Sequence, residues 1–172
     1  MSAAGQVLTV EQFLELSGPR CAVLGSPIEH SLSPQLHTVG YSALELQMDY
    51  VRVEAGESRD IRRLLGESDD EVRGFSVTMP GKQAALELAD LTTARAQEIG
   101  SANTLVPQGD GQWLADNTDV DGVSRCLEYL YGGDTSALQG AHAVIIGNGG
   151  TAGPAVACLF YTSDAADEGS SV

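Results

Sequence analysis

Short apolar runs alternate with helix-period segments over the first hundred residues, and this alternation confines the chain to an α/β layer with a mostly parallel sheet. Cys21-Ala22-Val23-Leu24, Met48 to Val53 and Val72 to Thr78 read as strands. Between them the spacing predicts helices. Thr9-Val10-Glu11-Gln12 is a capping-box pattern ahead of Phe13, Leu14 and Leu16, with Gly18-Pro19 as the stop. Ser33-Pro34 reads as an N-cap followed by proline, opening a helix to about Gln47. Ser58 can cap a helix over Arg59 to Gly66 with Ile61, Leu64 and Leu65 on one face, and Pro80 starts another.

Beyond residue 100 the pattern changes. Ser101 to Val106 and Gln112 to Ala115 read as strands around Gln108-Gly109-Asp110-Gly111, and Asp119 to Tyr131 carries Val123, Leu127 and Leu130 at helical spacing. Gly132-Gly133-Asp134 ends that helix. A further strand, Ala141 to Ile146, then runs into Gly147-Asn148-Gly149-Gly150-Thr151-Ala152 and a helix-like run to Phe160. A domain boundary is expected near residue 117, dividing residues 1–117 from 118–160. Residues 161–172 continue no apolar period, are foreign in composition to what precedes them, and are expected to be a non-native or disordered tail.

The net charge is -15, with 24 acidic against nine basic side chains, which argues against nucleic acid or an anionic membrane as partner. A small anionic ligand would need a local positive site. Three well-separated cysteines, Cys21, Cys126 and Cys158, form no Cys-x-x-Cys and no clustered histidines accompany them, so no metal site is expected and a reducing cytoplasm is. No basic, then apolar, leader is visible and no run approaches a membrane span.

Four constellations carry chemistry. Gly147-x-Gly149-x-x-Ala152, placed between strand and helix, has the small residues that let backbone approach a pyrophosphate at a helix N-terminus. Ser31-Leu32-Ser33-Pro34 sets two hydroxyls beside a helix start, as donors for a carboxylate or phosphate; equally, Ser33 only caps the helix. His30 and His37 nearby read as polar loop and helix-surface residues. Ser76-Val77-Thr78-x-Pro80-x-Lys82 closes a strand with Ser76 and Thr78 on one side, at the strand end where α/β ligands bind. Lys82 is the only lysine, and by itself it also fits a solvated helix start. Asn103-Thr104 and Asn117-Thr118-Asp119 complete the set; Asp119 is either a helix-dipole charge or a carboxylate beside Lys82.

Taken in order, Gly25 to Pro34, Val77 to Lys82, Gly100 to Thr104, Asp116 to Asp119 with Gly122, and Gly147 to Ala152 resemble shikimate dehydrogenase, over about residues 20 to 159. The resemblance implies a substrate-binding α/β domain followed by the first βα unit of an incomplete Rossmann-type NADP-binding domain, an N-terminal portion of the family's length. It implies reversible NADPH-dependent reduction of 3-dehydroshikimate to shikimate in chorismate and aromatic amino-acid biosynthesis. NAD and a quinate/shikimate preference, or a non-catalytic substrate-binding fragment, stand as alternatives. Carried onto matching positions, Ser31 and Ser33 hold the substrate carboxylate, while Thr78, Asn103 and Asp119 bind ring hydroxyls. Lys82 and Asp119 form the catalytic pair, with Lys82 also touching substrate, and Gly147, Asn148, Gly149, Gly150, Thr151 and Ala152 bind the cofactor. Many family members have Asn where Ser76 stands here, so Ser76 is carried over as a substituted substrate contact. No metal is implied, and a homodimer is left open for the complete enzyme.

Overall fold

The computed structural model describes residues 6–167. It opens on a two-residue strand, Val7–Leu8 (β1), and the helix Val10–Leu14 (α1), where Thr9 and Gln12 form the capping box reciprocally. Arg20–Gly25 (β2), Ser33–Ala43 (α2), Asp49–Glu54 (β3), Ser58–Glu67 (α3), Val72–Val77 (β4) and Lys82–Leu88 (α4) follow in alternation. Leu91–Thr92 (β5), Ala94–Ile99 (α5), Thr104–Gly109 (β6) and Gln112–Asp116 (β7) complete the first compact unit, Met1–Asp116. Its seven strands run in the order β1-β3-β2-β4-β6-β7-β5. Pairing is parallel from β1 to β4 and between β5 and β7, and antiparallel where β6 joins β4 and β7.

The sheet is apolar on both faces because helices cover both. On one face Phe13, Leu24, Val51, Val53, Ile61, Leu64, Phe75, Val77 and Trp113 form the main core. Phe75 sits at its middle, 2% exposed, with ring centroids 5.5 Å from Phe13 and 5.2 Å from Trp113. The Trp113 indole N–H donates to Leu65 O at 3.0 Å, so the one polar atom of that ring is satisfied. The opposite face carries Val23, Ile28 and Tyr50, with Cys21 and Tyr41 packed beside them. Alternation along β3 explains the division: Val51 and Val53 enter the main core, whereas Tyr50 and Arg52 take the other side and are buried too.

The second unit, Asn117–Val172, holds the helix Asp119–Leu130 (α6), a 3-10 turn at Ser136–Leu138 and the helix Ala152–Asp167 (α7). α6 and α7 pack together, and Cys158 on α7 is buried.

Several elements depart from the sequence expectations. Ser33 is the first residue of α2 with Leu32 as its cap, and α2 stops at Ala43 rather than near Gln47, because Glu45 takes a left-handed φ of 56°. Ser58 likewise begins α3 without capping it; Glu57 holds the cap position. Pro80 opens no helix. It lies in a turn closed by Gly81 N–H to Thr78 O at 3.0 Å, and α4 begins at Lys82. β6 starts at Thr104, since the N–H groups of Ala102 and Asn103 are spent on Lys82 O and Asp116 O. β1, β5 and α5 carry too little apolar period to be read from sequence. The expected strand over Ala141 to Ile146 is not one: it has no ladder partner among the described residues, and Val144 and Ile146 are 85% and 98% exposed. A strand exists only by pairing, and every described strand belongs to the first unit. Of the expected irregular tail, residues up to Asp167 continue α7, and residues 168–172 lie outside the described residues.

Two outcomes test this packing. Phe75→Ala removes the ring that joins Phe13 to Trp113, and denaturant unfolding should show a loss of about 3–5 kcal/mol; a loss under about 1 kcal/mol contradicts the core assignment. Burial pushes the Tyr50 phenol from 10.0 up to about 12, with hydrogen bonding to the Ser76 and Ser33 hydroxyls pulling it partly back. The unfolded chain therefore loses this proton first, and the associated stability is complete below pH 10.0 and falls as pH rises towards about 12. Alkaline absorbance titration should show a tyrosinate step near 12 that disappears in Tyr50→Phe; a Tyr50 step at the ordinary value contradicts the burial.

Candidate functional site

Parallel pairing brings the carboxyl ends of β2, β3 and β4 to one edge of the sheet, with Leu24 beside Val77 and Gly25 beside Glu54. In an open parallel sheet that edge is where loops form ligand sites. Backbone bonds then extend the pairing past the strands. Thr78 N–H donates to Leu24 O at 2.8 Å, and Ser26 N–H donates to Met79 O at 3.1 Å, so the loop after β2 and the turn after β4 are tied together. Gly25 makes this approach feasible: a Cβ there would stand 2.5 Å from Thr78 Cγ2 and 3.1 Å from Met79 O. Val77 N–H donates to Asn103 O at 2.7 Å, and Ala102 N–H donates to Lys82 O at 2.9 Å. These bonds fix Thr78, Lys82 and Asn103 on adjoining backbone segments.

Ser31 and Ser33 reach the same edge through a loop held from below. Ser31 N–H bonds Ile28 O, Ile28 N–H bonds Glu54 Oε2 at 3.2 Å, and the buried Arg52 guanidinium donates through Nε to Ser31 O at 2.9 Å and through Nη2 to Gln35 Oε1 at 3.0 Å. The two hydroxyls are 3.2 Å apart, and Ser31 Oγ accepts the Ser33 N–H, so Ser31 satisfies the first backbone donor of α2. His37 is no plain surface residue: its ring stacks on Tyr50 at 3.9 Å and its Nδ1 lies 2.8 Å from Ser33 O. Tyr50 O–H in turn donates to Ser76 Oγ at 2.7 Å.

The six sequence-predicted residues of the first unit, Ser31, Ser33, Ser76, Thr78, Lys82 and Asn103, thus share one edge, and all six are partly buried. Asn103 Oδ1 accepts the Thr104 hydroxyl at 2.8 Å, which directs its amide nitrogen elsewhere. Tyr50, Arg52 and Gln35 were not singled out from sequence. Their signal was a tyrosine and an arginine alternating with valines in a strand, which is costly in a doubly covered sheet unless each polar head has a partner. Asp116, at the end of β7, has a scaffold role: it takes Thr93 Oγ1 and Arg95 Nε, both at 2.7 Å, and anchors the start of α5.

In the second unit Asp119 is the first residue of α6, with Thr118 at the cap position and its N–H bonded to Asn117 Oδ1 at 3.2 Å. The run Gly147 to Thr151 is exposed and leads directly into the sixteen residues of α7. Gly147 takes φ 118°, and a Cβ added at Gly147 or Gly149 would meet nothing within 4 Å. Space in front of a helix N-terminus, with glycines that no packing requires, fits the approach of a pyrophosphate. A cavity of about 660 Å³ in this unit, lined among others by Leu138, Ile145, Val156 and Leu159, is lined by none of the candidate site residues. Among the described residues no group of three or more His, Cys, Asp or Glu is placed to hold a metal, and no helix is long and apolar enough to cross a membrane.

Comparison with known proteins places this edge in context. The family described as "Shikimate dehydrogenase substrate binding domain" matches residues 23–105. A shikimate dehydrogenase (NADP(+)) of Xanthomonas euvesicatoria is 40% identical over 133 residues, covering 77% of this chain and 46% of that protein. Among solved structures, Mycobacterium tuberculosis shikimate dehydrogenase superposes with TM-score 0.73 at 46% identity, over 84% of this chain and 51% of that one. A shikimate 5-dehydrogenase from Thermus thermophilus, in complex with NADP(H) and shikimate, gives 0.71 at 35% identity, over 84% and 52%. The chain spans about half the length of these relatives. Over residues 23–105 the chain is thus similar in sequence and in fold to shikimate dehydrogenase substrate-binding domains.

Proposed function

We propose that this chain supplies the substrate site of an NADP-dependent shikimate dehydrogenase, the enzyme that interconverts 3-dehydroshikimate and shikimate. The observation that carries the reading is the meeting of Ser31, Ser33, Thr78, Lys82 and Asn103 at the carboxyl edge of β2 and β4. Such a set suits a small polyhydroxylated carboxylic acid. Two neighbouring hydroxyls can donate to both oxygens of a carboxylate, and a threonine and an amide can each donate to and accept from ring hydroxyls. In a chain of net charge -15, a lysine at that edge supplies local positive charge for an anionic ligand.

Lys82 is assigned the proton transfer. When the ring ketone is reduced, negative charge grows on its oxygen, and an ammonium positioned there stabilises it and delivers a proton. Arginine holds its proton too tightly for that step. Asp119 is assigned, on the resemblance, as the second member of the catalytic pair and as a partner of a ring hydroxyl. Ser76 is assigned to a ligand oxygen. Gly147, Asn148, Gly149, Gly150, Thr151 and Ala152 would hold the cofactor's pyrophosphate, and NADP when bound supplies or accepts the hydride. NADP in place of NAD, shikimate in place of quinate, a cytoplasmic setting and a homodimer belong to the same proposal.

A second reading, a substrate-binding polypeptide without turnover, is favoured by one observation: the segment leading into Gly147 has no strand partner among the described residues. Shikimate binding by the 172-residue chain without shikimate-dependent NADPH formation supports that reading; turnover by this chain overturns it. For the dehydrogenase reading, the decisive variants are made in the complete enzyme that contains this sequence. Lys82→Met should lower kcat by about 10²–10⁴-fold while shikimate affinity changes by less than about tenfold. Arg59→Met, at a side chain 79% exposed, should leave kcat within about twofold. Equal losses in the two variants would refute the role of Lys82.

A further inference from the structure

Tyr50 stands one strand away from the assigned ligand residues, yet its hydroxyl ends among them. Cys21 is its register partner on β2, and Val23, two residues on, is the partner of Ser76 on β4. The phenol therefore crosses β2 diagonally on the α2 side of the sheet and donates to Ser76 Oγ at 2.7 Å. Its ring is held on both sides of this path. It is 4% exposed, lies against Val23 and Ile28, and stacks on His37 at 3.9 Å, and His37 is itself bonded to Ser33 O. The phenol keeps its proton at neutral pH, burial pushing it further up, and it interacts with the Ser33 hydroxyl as well as with Ser76.

A serine hydroxyl has a single proton and rotates freely, so it can present either a donor or a lone pair to a ligand. With a fixed donor filling one lone pair, the Ser76 proton is turned away from Tyr50. We propose that Tyr50 is a positioning residue of the ligand site, which by donating to Ser76 Oγ aims the Ser76 proton as a hydrogen-bond donor at an oxygen of the bound carboxylic acid. The inference rests on the shikimate reading above. It adds that donation at this point takes two hydroxyls acting in series, whereas an asparagine at position 76 would donate through its amide nitrogen without help.

The test is a double-mutant cycle on shikimate affinity, measured by titration calorimetry on the 172-residue chain, without cofactor. Tyr50→Phe deletes one oxygen and keeps the ring that packs on His37, so the fold stays comparable. It should weaken shikimate binding by about three- to tenfold. In a Ser76→Ala chain the same Tyr50→Phe change should cost less than about 1.5-fold, and in a Ser76→Asn chain less than about twofold. A purely packing role for Tyr50 predicts equal losses in all three backgrounds, and that result overturns the proposal. Unchanged affinity on Tyr50→Phe alone overturns it as well. If the unaltered chain binds no shikimate, the functional reading falls and this inference falls with it, whereas binding that ignores Tyr50 defeats only the inference.

Discussion

Parallel pairing of β2 with both β3 and β4 is the constraint on which the rest of this chain depends. A parallel strand must be followed by a crossover, so each return leaves its loop at the same edge. Three such returns put the loop bearing Ser31 and Ser33, the end of β3 and the turn bearing Thr78 and Lys82 side by side. Bonds from Thr78 N–H to Leu24 O and from Ser26 N–H to Met79 O carry the ladder two residues beyond the strands. The segments of the candidate site are thus continuations of the sheet, and their precision is that of the sheet. Gly25 guards this arrangement, since any larger side chain would press on Thr78 and Met79 O.

The two faces of the sheet divide the labour. Phe13, Phe75 and Trp113 stack into an apolar core under one face, where stability comes from area removed from water. On the other face the strands bury polar heads as well: Arg52 spends its donors on Ser31 O and Gln35, and Tyr50 spends its proton on Ser76. Such groups are costly unless satisfied, and here what satisfies them are the backbone and side chains of the candidate site. Stability of this face and geometry of the site are consequently the same set of hydrogen bonds.

Much of this was legible in the sequence. The alternation of apolar runs with capped helical segments is a local property, and it announced the parallel layer, the approximate strands and the hydroxyl, lysine and amide motifs at their ends. What escaped reading depended on partners distant in sequence. Tyr50 and Arg52 looked like ordinary strand residues until the register placed them across β2 from Ser76 and under Ser31. Ser33 and Pro80 carry helix-start chemistry, yet Ser33 is already the first residue of α2, with its own N–H taken by Ser31 Oγ, and the turn at Pro80 belongs to the closure onto β2. Ala141 to Ile146 fails for the converse reason: its residues suit a strand, but pairing, which local composition cannot supply, is lacking among the described residues.

The most direct test of the central claim is to map shikimate on the amide resonances of the 172-residue chain. The account predicts dose-dependent shifts clustered at the backbone of Ser31, Ser33, Ser76, Thr78, Lys82 and Asn103, with α3 and the β5–α5 segment unmoved. Shifts confined to the segment around Leu138 and to Val156, or no saturable shift at millimolar shikimate, would contradict it.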